Sequence, residues 1–86
     1  AAATLDVRPN PFNPRASVSF AADGPGRLTI HDARGRRVAD VPVPATGTWT
    51  WDGRDRAGRA APSGTYLVRL ESGGRVLAQR RATLVR

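Results

Sequence analysis

Short strand-like runs separated by turn residues fill this chain, with apolar and polar residues alternating most clearly at 4–8 and 16–21, and no ten-residue stretch shows helical periodicity. Alternation with period two puts every second side chain on one face of a strand. Such strands recurring about every 8–12 residues with turn residues between them indicate a β-sandwich. The expected strands are residues 4–8, 16–21, 27–31, 36–41, 48–51, 65–71 and 75–85. Val18 and Phe20 face inward on the second, Leu28 and Ile30 on the third. Asp23-Gly24-Pro25-Gly26, Asp32-Ala33-Arg34-Gly35 and Ser72-Gly73-Gly74 read as turns. Pro42 and Pro44 demote residues 42–47 to an edge or a crossover, because proline donates no ladder hydrogen bond.

The large rings set the core. Trp49 and Trp51 lie two apart, so they share one strand face, as do Tyr66, Val68 and Leu70 on the strand that follows. That following strand reads as a hairpin partner of the tryptophan strand. The polar segment between them, with Asp52, Gly53, Asp55 and Gly58, and then Gly64, reads as loop and turn. On the last strand Val76, Ala78, Ala82 and Leu84 share a face on which Arg80 also falls, so either Arg80 lies at a wet end or a bulge shifts the phase. The expected core is Phe12, Val18, Phe20, Leu28, Ile30, Trp49, Trp51, Tyr66, Val68, Leu70 and Leu84.

At 86 residues the chain reads as one domain, residues 1–86, and buries only about 60–65% of its unfolded surface, which leaves little for a deep cavity. Residues 1–7 are the N-terminal strand and 8–15 a proline-rich crossover, rigid and extended, anchored by Phe12. A Pro-x-x-Pro ligand at Pro11 and Pro14 is the weaker reading, because Phe12 belongs in a small core. The absence of cysteine excludes disulfides and thiolate metal sites. No apolar run approaches the roughly 20 residues of a membrane helix. The start Ala1-Ala2-Ala3, without methionine, suits a mature product after signal-peptide removal or a domain cut from a longer chain.

The net charge is +7, and every basic residue is arginine. Arg75, Arg80, Arg81 and Arg86 sit in an acid-free C-terminal stretch. They read as an anion-binding face, or more simply as a solvated strand face. The single histidine, His31, is expected to face outward, with no second ligand for a metal or a triad. Asp52 and Asp55 lack the spacing of a calcium loop and sit among arginines, so each is expected to cap turn amides and pair with a neighbouring arginine. No catalytic, metal or cofactor-binding residue emerges. The aromatics pattern as core, so no stacking platform for nucleic acid is expected.

The order Pro9-Asn10-Pro11-Phe12-Asn13-Pro14, Ala16 to Phe20, Ile30-His31-Asp32-Ala33-Arg34-Gly35-Arg36-Arg37-Val38, Trp51-Asp52-Gly53-Arg54-Asp55-Arg56-Ala57-Gly58-Arg59 and Pro62-Ser63-Gly64-Thr65-Tyr66 resembles a known pattern. It is similar to the immunoglobulin-like domain of flagellar hook-capping proteins, and equally to the C-terminal sorting domain of type IX secretion cargo. The resemblance runs over about residues 8–86. It implies a seven-stranded sandwich, no enzyme activity and a secreted or bacterial cell-surface setting. Sorting domains are read by an outer-membrane secretion machine and usually end in a lysine-rich strand, where this chain has arginines.

The expected function is therefore non-catalytic: a secreted cell-surface module acting through protein contacts, with secretion machinery or neighbouring subunits as partners, in sorting or anchoring. Two alternatives stand beside it. Thr4 to Val7, with Leu5 and Val7 as the apolar side, either lies in its own domain or adds to a neighbour's sheet edge, and head-to-tail addition would build a homo-oligomeric filament. An anion-binding module for acidic glycan or nucleic acid is the other. No cofactor and no transmembrane segment is expected, and glycan attachment at serine or threonine is not legible in sequence.

Overall fold

The computed structural model describes residues 3–86, so the Ala1-Ala2 start lies outside the described residues. The strands are β1 (Thr4–Arg8), β2 (Ala16–Ala21), β3 (Gly26–His31), β4 (Arg37–Val43), β5 (Thr46–Trp51), β6 (Gly64–Ser72) and β7 (Arg75–Leu84). They form two antiparallel sheets, three-stranded in the order β1-β2-β5 and four-stranded in the order β4-β3-β6-β7. Among the described residues no helix is long and apolar enough to cross a membrane. This is the all-β sandwich that the alternation predicts.

Period-two patterning decides which side chains meet between the sheets. Leu5 and Val7 sit across from Phe20 and Val18, and Leu28 and Ile30 across from Leu70 and Val68. These side chains, with Phe12, Trp51, Tyr66 and Leu84, are buried, each favouring the fold by about 1.5–3 kcal/mol. Trp51 packs between the rings of Phe12, 5.5 Å away and tilted, and Tyr66, 5.2 Å away and edge-on. Such tilted pairs suit the ring quadrupole and add to burial.

Several sequence expectations need correction. β5 and β6 are not a hairpin: β5 pairs only with β2, and β6 lies between β3 and β7. The tryptophan and tyrosine faces meet across the interlayer space, so residues 52–63 carry the chain from one sheet to the other. Residues 8–15 do not cross between sheets, because β1 and β2 are hydrogen-bonded neighbours. Instead Phe12 forms a bridge with Leu84, its amide donating to Thr83 O (2.9 Å) and its carbonyl accepting from Val85 N (2.9 Å). Pro42 and Val43 belong to β4, an edge strand that tolerates a missing donor.

Trp49 points inward but is only half-buried, because β5 is an edge strand with nothing beyond it to close over the indole. Val76 is 51% exposed. The ladder slips between Leu70 and Glu71, so Val76 lies opposite Glu71 on the outer face while Ala78 keeps the inward phase. Arg80 stays in phase with Ala82 and Leu84 but is exposed on the outermost strand. His31 is buried, not outward in solvent.

Candidate functional site

Among the described residues no buried side-chain nitrogen or oxygen lacks a hydrogen-bond partner, and the polar atoms of the core rings bond to the loops. The Trp51 indole Nε1 donates to Arg54 O (2.9 Å), and the Tyr66 hydroxyl to Pro62 O (2.6 Å). The latter joins the start of β6 to the backbone four residues upstream, the arrangement of a tyrosine corner. Burial raises the Tyr66 phenol above its ordinary value, Asp32 adds to the rise, and Arg86 and Arg36 oppose it.

The loops at this end of the sandwich contain a repeat. Asp32-Ala33-Arg34-Gly35-Arg36 and Asp55-Arg56-Ala57-Gly58-Arg59 share the spacing Asp-x-x-Gly-Arg, and they fold alike. Asp32 Oδ1 accepts from the amides of Arg34 and Arg36, both at 2.9 Å. Asp55 Oδ1 accepts from Ala57 (2.9 Å) and Arg59 (3.0 Å). Each aspartate amide donates to the arginine carbonyl four residues on, and each glycine amide donates back to the aspartate carbonyl. Gly35 and Gly58 have φ of 85° and 83°, the left-handed region that glycine enters without strain. Desolvation pushes the Asp32 carboxyl up, but the Arg36 and Arg34 amides and the Arg36 guanidinium outweigh it and hold the group below its ordinary value. The two loops flank a hollow of about 200 Å³ lined by Arg36, Arg37, Val38, Asp55, Arg56 and Ala57. Six exposed arginines, Arg34, Arg36, Arg37, Arg54, Arg56 and Arg59, are thereby carried on one pole. The repeated five-residue spacing was the available sequence signal for this pole.

The four arginines of the C-terminal stretch do not form one face. Arg80 and Arg81 alternate across β7, opposite Val68 and Leu67 respectively, and Arg75 sits at the hairpin end. Arg86 is a tether: its Nε donates to Ala61 O (2.5 Å), its guanidinium also to Gly53 O, and its amide to Ser63 Oγ (2.9 Å). Gly53 is buried at φ 75° with Pro14 O where a Cβ would go. Asp52 caps the Arg54 amide (3.1 Å), and Gly64 opens β6. Leu5 and Val7 turn into the domain's own core.

The outer sheet faces differ. On the four-stranded sheet Thr29 is fully buried and donates to Glu71 Oε2 (3.0 Å), with His31 Nε2 3.2 Å from the same hydroxyl. Their cross-strand neighbours are Asp40 and Arg69 for Thr29, Arg37 and Leu67 for His31. Arg27 and Arg37 both reach Asp40, at 2.5 and 3.2 Å. On the three-stranded sheet the exposed positions are mostly hydroxyls: Thr4, Ser17, Ser19, Thr46, Thr48 and Thr50. Among the described residues no cluster of three or more histidine, aspartate or glutamate side chains is placed to hold a metal.

A seven-stranded three-plus-four sandwich closed by a tyrosine corner is an immunoglobulin-like domain. Residues 12–75 match the FlgD Ig-like domain, and the chain belongs to that family. No curated protein sequence matches it significantly. Among solved structures it is similar to part of dimeric latent PorU from Porphyromonas gingivalis, at 23% identity and TM-score 0.81 over 96% of this chain and 9% of that one. It is similar to part of PorZ from the same organism, described as an essential bacterial surface component of the type IX secretion system, at 26% identity and TM-score 0.69 over 95% of this chain and 11% of that one. Alkylpurine DNA glycosylase AlkC from Pseudomonas fluorescens shares the fold, at 19% identity and TM-score 0.61 over 96% of this chain and 30% of that one. The chain thus spans about a tenth of the length of PorU and PorZ.

Proposed function

We propose that this chain is a non-catalytic contact module of the bacterial surface, serving in type IX secretion as a sorting or anchoring domain. The observation that carries the reading is the likeness to one domain of PorZ, a surface component of that system, over nearly the whole of this chain. The filled interior supports it: rings and hydroxyls there bond to the chain's own loops, so recognition falls to edges, outer faces and the loop pole. The test is a periplasmic reporter carrying this domain at its C-terminus, in a bacterium with a working type IX system. Export to the surface or medium supports the reading, and retention in the periplasm rejects it.

A second reading has one observation in its favour. The pole built by the paired Asp-x-x-Gly-Arg loops gathers exposed guanidinium groups that fork onto phosphate or carboxylate. As an acidic-glycan or nucleic-acid site it would bind with steep salt dependence, and salt-insensitive binding, or none, removes it.

A further inference from the structure

The sandwich has four edge strands, and three are guarded. β1 carries Asp6 and Arg8, runs into Pro9 and packs against β7. β4 carries Arg37, Asp40 and Pro42 and a register break beside His31. β7 has its own break, bears Arg75, Arg80 and Arg81, and is bridged at Leu84 by Phe12. Charges, prolines and bulges are the devices by which proteins stop edges from pairing with other chains. β5 has none of them: Thr46–Trp51 is unbroken, without proline, and no charged residue lies between Asp40 and Asp52.

We propose that β5 pairs antiparallel with β5 of a second copy of this chain, about a two-fold axis at Thr48. A strand pairing must keep like faces together, because a slip of one residue turns every side chain over. Centring the pair on Thr48 keeps the threonine face outward, setting Thr46 opposite the partner's Thr50 and Gly47 opposite the partner's Trp49. That register answers the largest partly buried side chain packed on the core, Trp49. Trp49 is half-buried at an open edge. Gly47 has no side chain, and the Phe20 ring lies 3.4 Å from where its Cβ would be. Each Trp49 would therefore cover the partner's glycine beside the partner's Phe20, and both indoles would finish their burial. An aromatic lying over an edge glycine is a known stabilising cross-strand pair. Chemistry at this edge selects a second copy over an acidic strand, because the edge has no charge to attract one.

The two-fold contact is self-complementary and closes, so it yields a dimer rather than a fibre. Its ladder covers residues 46–50, about 17 Å, and it buries less than the roughly 1,200 Å² of tight complexes, so the dimer forms and dissociates with concentration. Since each copy carries +7, repulsion opposes pairing, and added salt tightens the dimer. An acidic partner would show the opposite sign. The proposal goes beyond the secretion reading and is independent of it: a monomeric module that still exports a reporter would remove only the pairing.

Sedimentation velocity over a wide concentration range tests it. The wild-type chain is expected to dimerise reversibly and more strongly at higher salt. Thr48→Lys sets like charges opposite each other on the axis and weakens the dimer by up to about fivefold. Thr4→Lys, the same charge change on the exposed face of β1, leaves it intact. Cysteine placed by T48C brings two Cα atoms to about 4.5–5.5 Å, within disulfide reach, and oxidises to a covalent dimer. T46C or T50C alone does not cross-link, the two copies of each site lying about 13 Å apart, but an equimolar mixture of the two does. A monomer at every concentration and salt, a folded T48C protein that does not cross-link, or association unaffected by Thr48→Lys overturns the proposal. Protection of Trp49 only by an added extended peptide also overturns it, in favour of a different strand at the same edge.

Discussion

Tyr66 can be isolated thermodynamically because of what the chain lacks. It has no cysteine, one tyrosine, and only arginine among its basic residues. With lysine and cysteine absent, tyrosine is the one side-chain type in this sequence whose ordinary value falls between about pH 9 and 12. In the folded state the phenol is held above its ordinary value of 10.0, by burial first and by Asp32 second, against the pull of Arg86 and Arg36. The phenol is neutral when protonated, so a raised value means that the fold favours the protonated form. The unfolded chain therefore loses its proton first as pH rises. Its contribution to stability is complete below about pH 10 and is lost as pH climbs from there through the folded value, at up to about 1.4 kcal/mol per pH unit. The structural reason is local: a phenolate can no longer donate to Pro62 O, 2.6 Å away, and would face that carbonyl as a second acceptor. Tyr66→Phe removes both the bond and the titration. At pH 8 the variant should be less stable by about 1 kcal/mol, lowering Tm by about 4–8 °C in a domain this small. Urea unfolding at steps from pH 8 to 11.5 should then give a falling line for wild type and a flat one for the variant, the two converging at the alkaline end. Tyrosinate absorbance of the folded protein should show a midpoint above 10. Parallel pH dependences for the two proteins, or a midpoint at or below 10, would refute the assignment.

Two further outcomes follow from the loops. Gly53→Ala should cost at least about 1–2 kcal/mol from the left-handed backbone alone, with more from the Cβ set 2.7 Å from Pro14 O, read as a lowered denaturant midpoint; an unchanged midpoint contradicts the geometry. Asp32→Asn should flatten the acid limb of stability. The native carboxyl lies below its ordinary value on account of the Arg36 and Arg34 amides and the Arg36 guanidinium, which outweigh desolvation, so its contribution is present above about pH 4 and lost as pH falls through the folded value. Equal acid-limb slopes for the two proteins would contradict that.

What the sequence revealed and what it hid divide along the range of the signal. Alternation is local, so it gave strand positions and which residues turn inward, Val18, Phe20, Leu28 and Ile30 among them. It cannot say which strand lies beside which. That is why β5 and β6 read as a hairpin, although their rings meet across the layers. Nor can it see a single unpaired residue, and the slip near Leu77 was enough to move Val76 to the outer face. The buried pair Thr29 and His31 was hidden for another reason: an outer face seals only when side chains of neighbouring strands lie over it, and Arg69 and Glu71, beside Thr29, come from β6, some forty residues further along the chain. Reading residues 32–35 and 52–58 as separate turns passes over the spacing they share, and their common geometry follows from hydrogen bonds that spacing alone does not display. Trp49 packs against the core but stays partly exposed, which depends on β5 being last in its sheet.

The strand order also decides what an open edge can be used for. In the order β1-β2-β5, the N-terminal strand sits two strand spacings from β5, about 10 Å. The C-terminal strand β7 is the edge of the other sheet that lies against β1. Strands β1 and β7 thus both lie on the side away from the unguarded strand, so contact through β5 leaves them in place. Handing β1 over to a neighbour's sheet instead would pull Leu5 and Val7 out of the core, opening two buried apolar positions at about 1.5–3 kcal/mol each before any new contact forms. β5 is already formed and already exposed along its outer rim, so it can pair without disturbing a buried residue. On energetic grounds the edge that costs nothing to offer is the one a contact module of this fold would use.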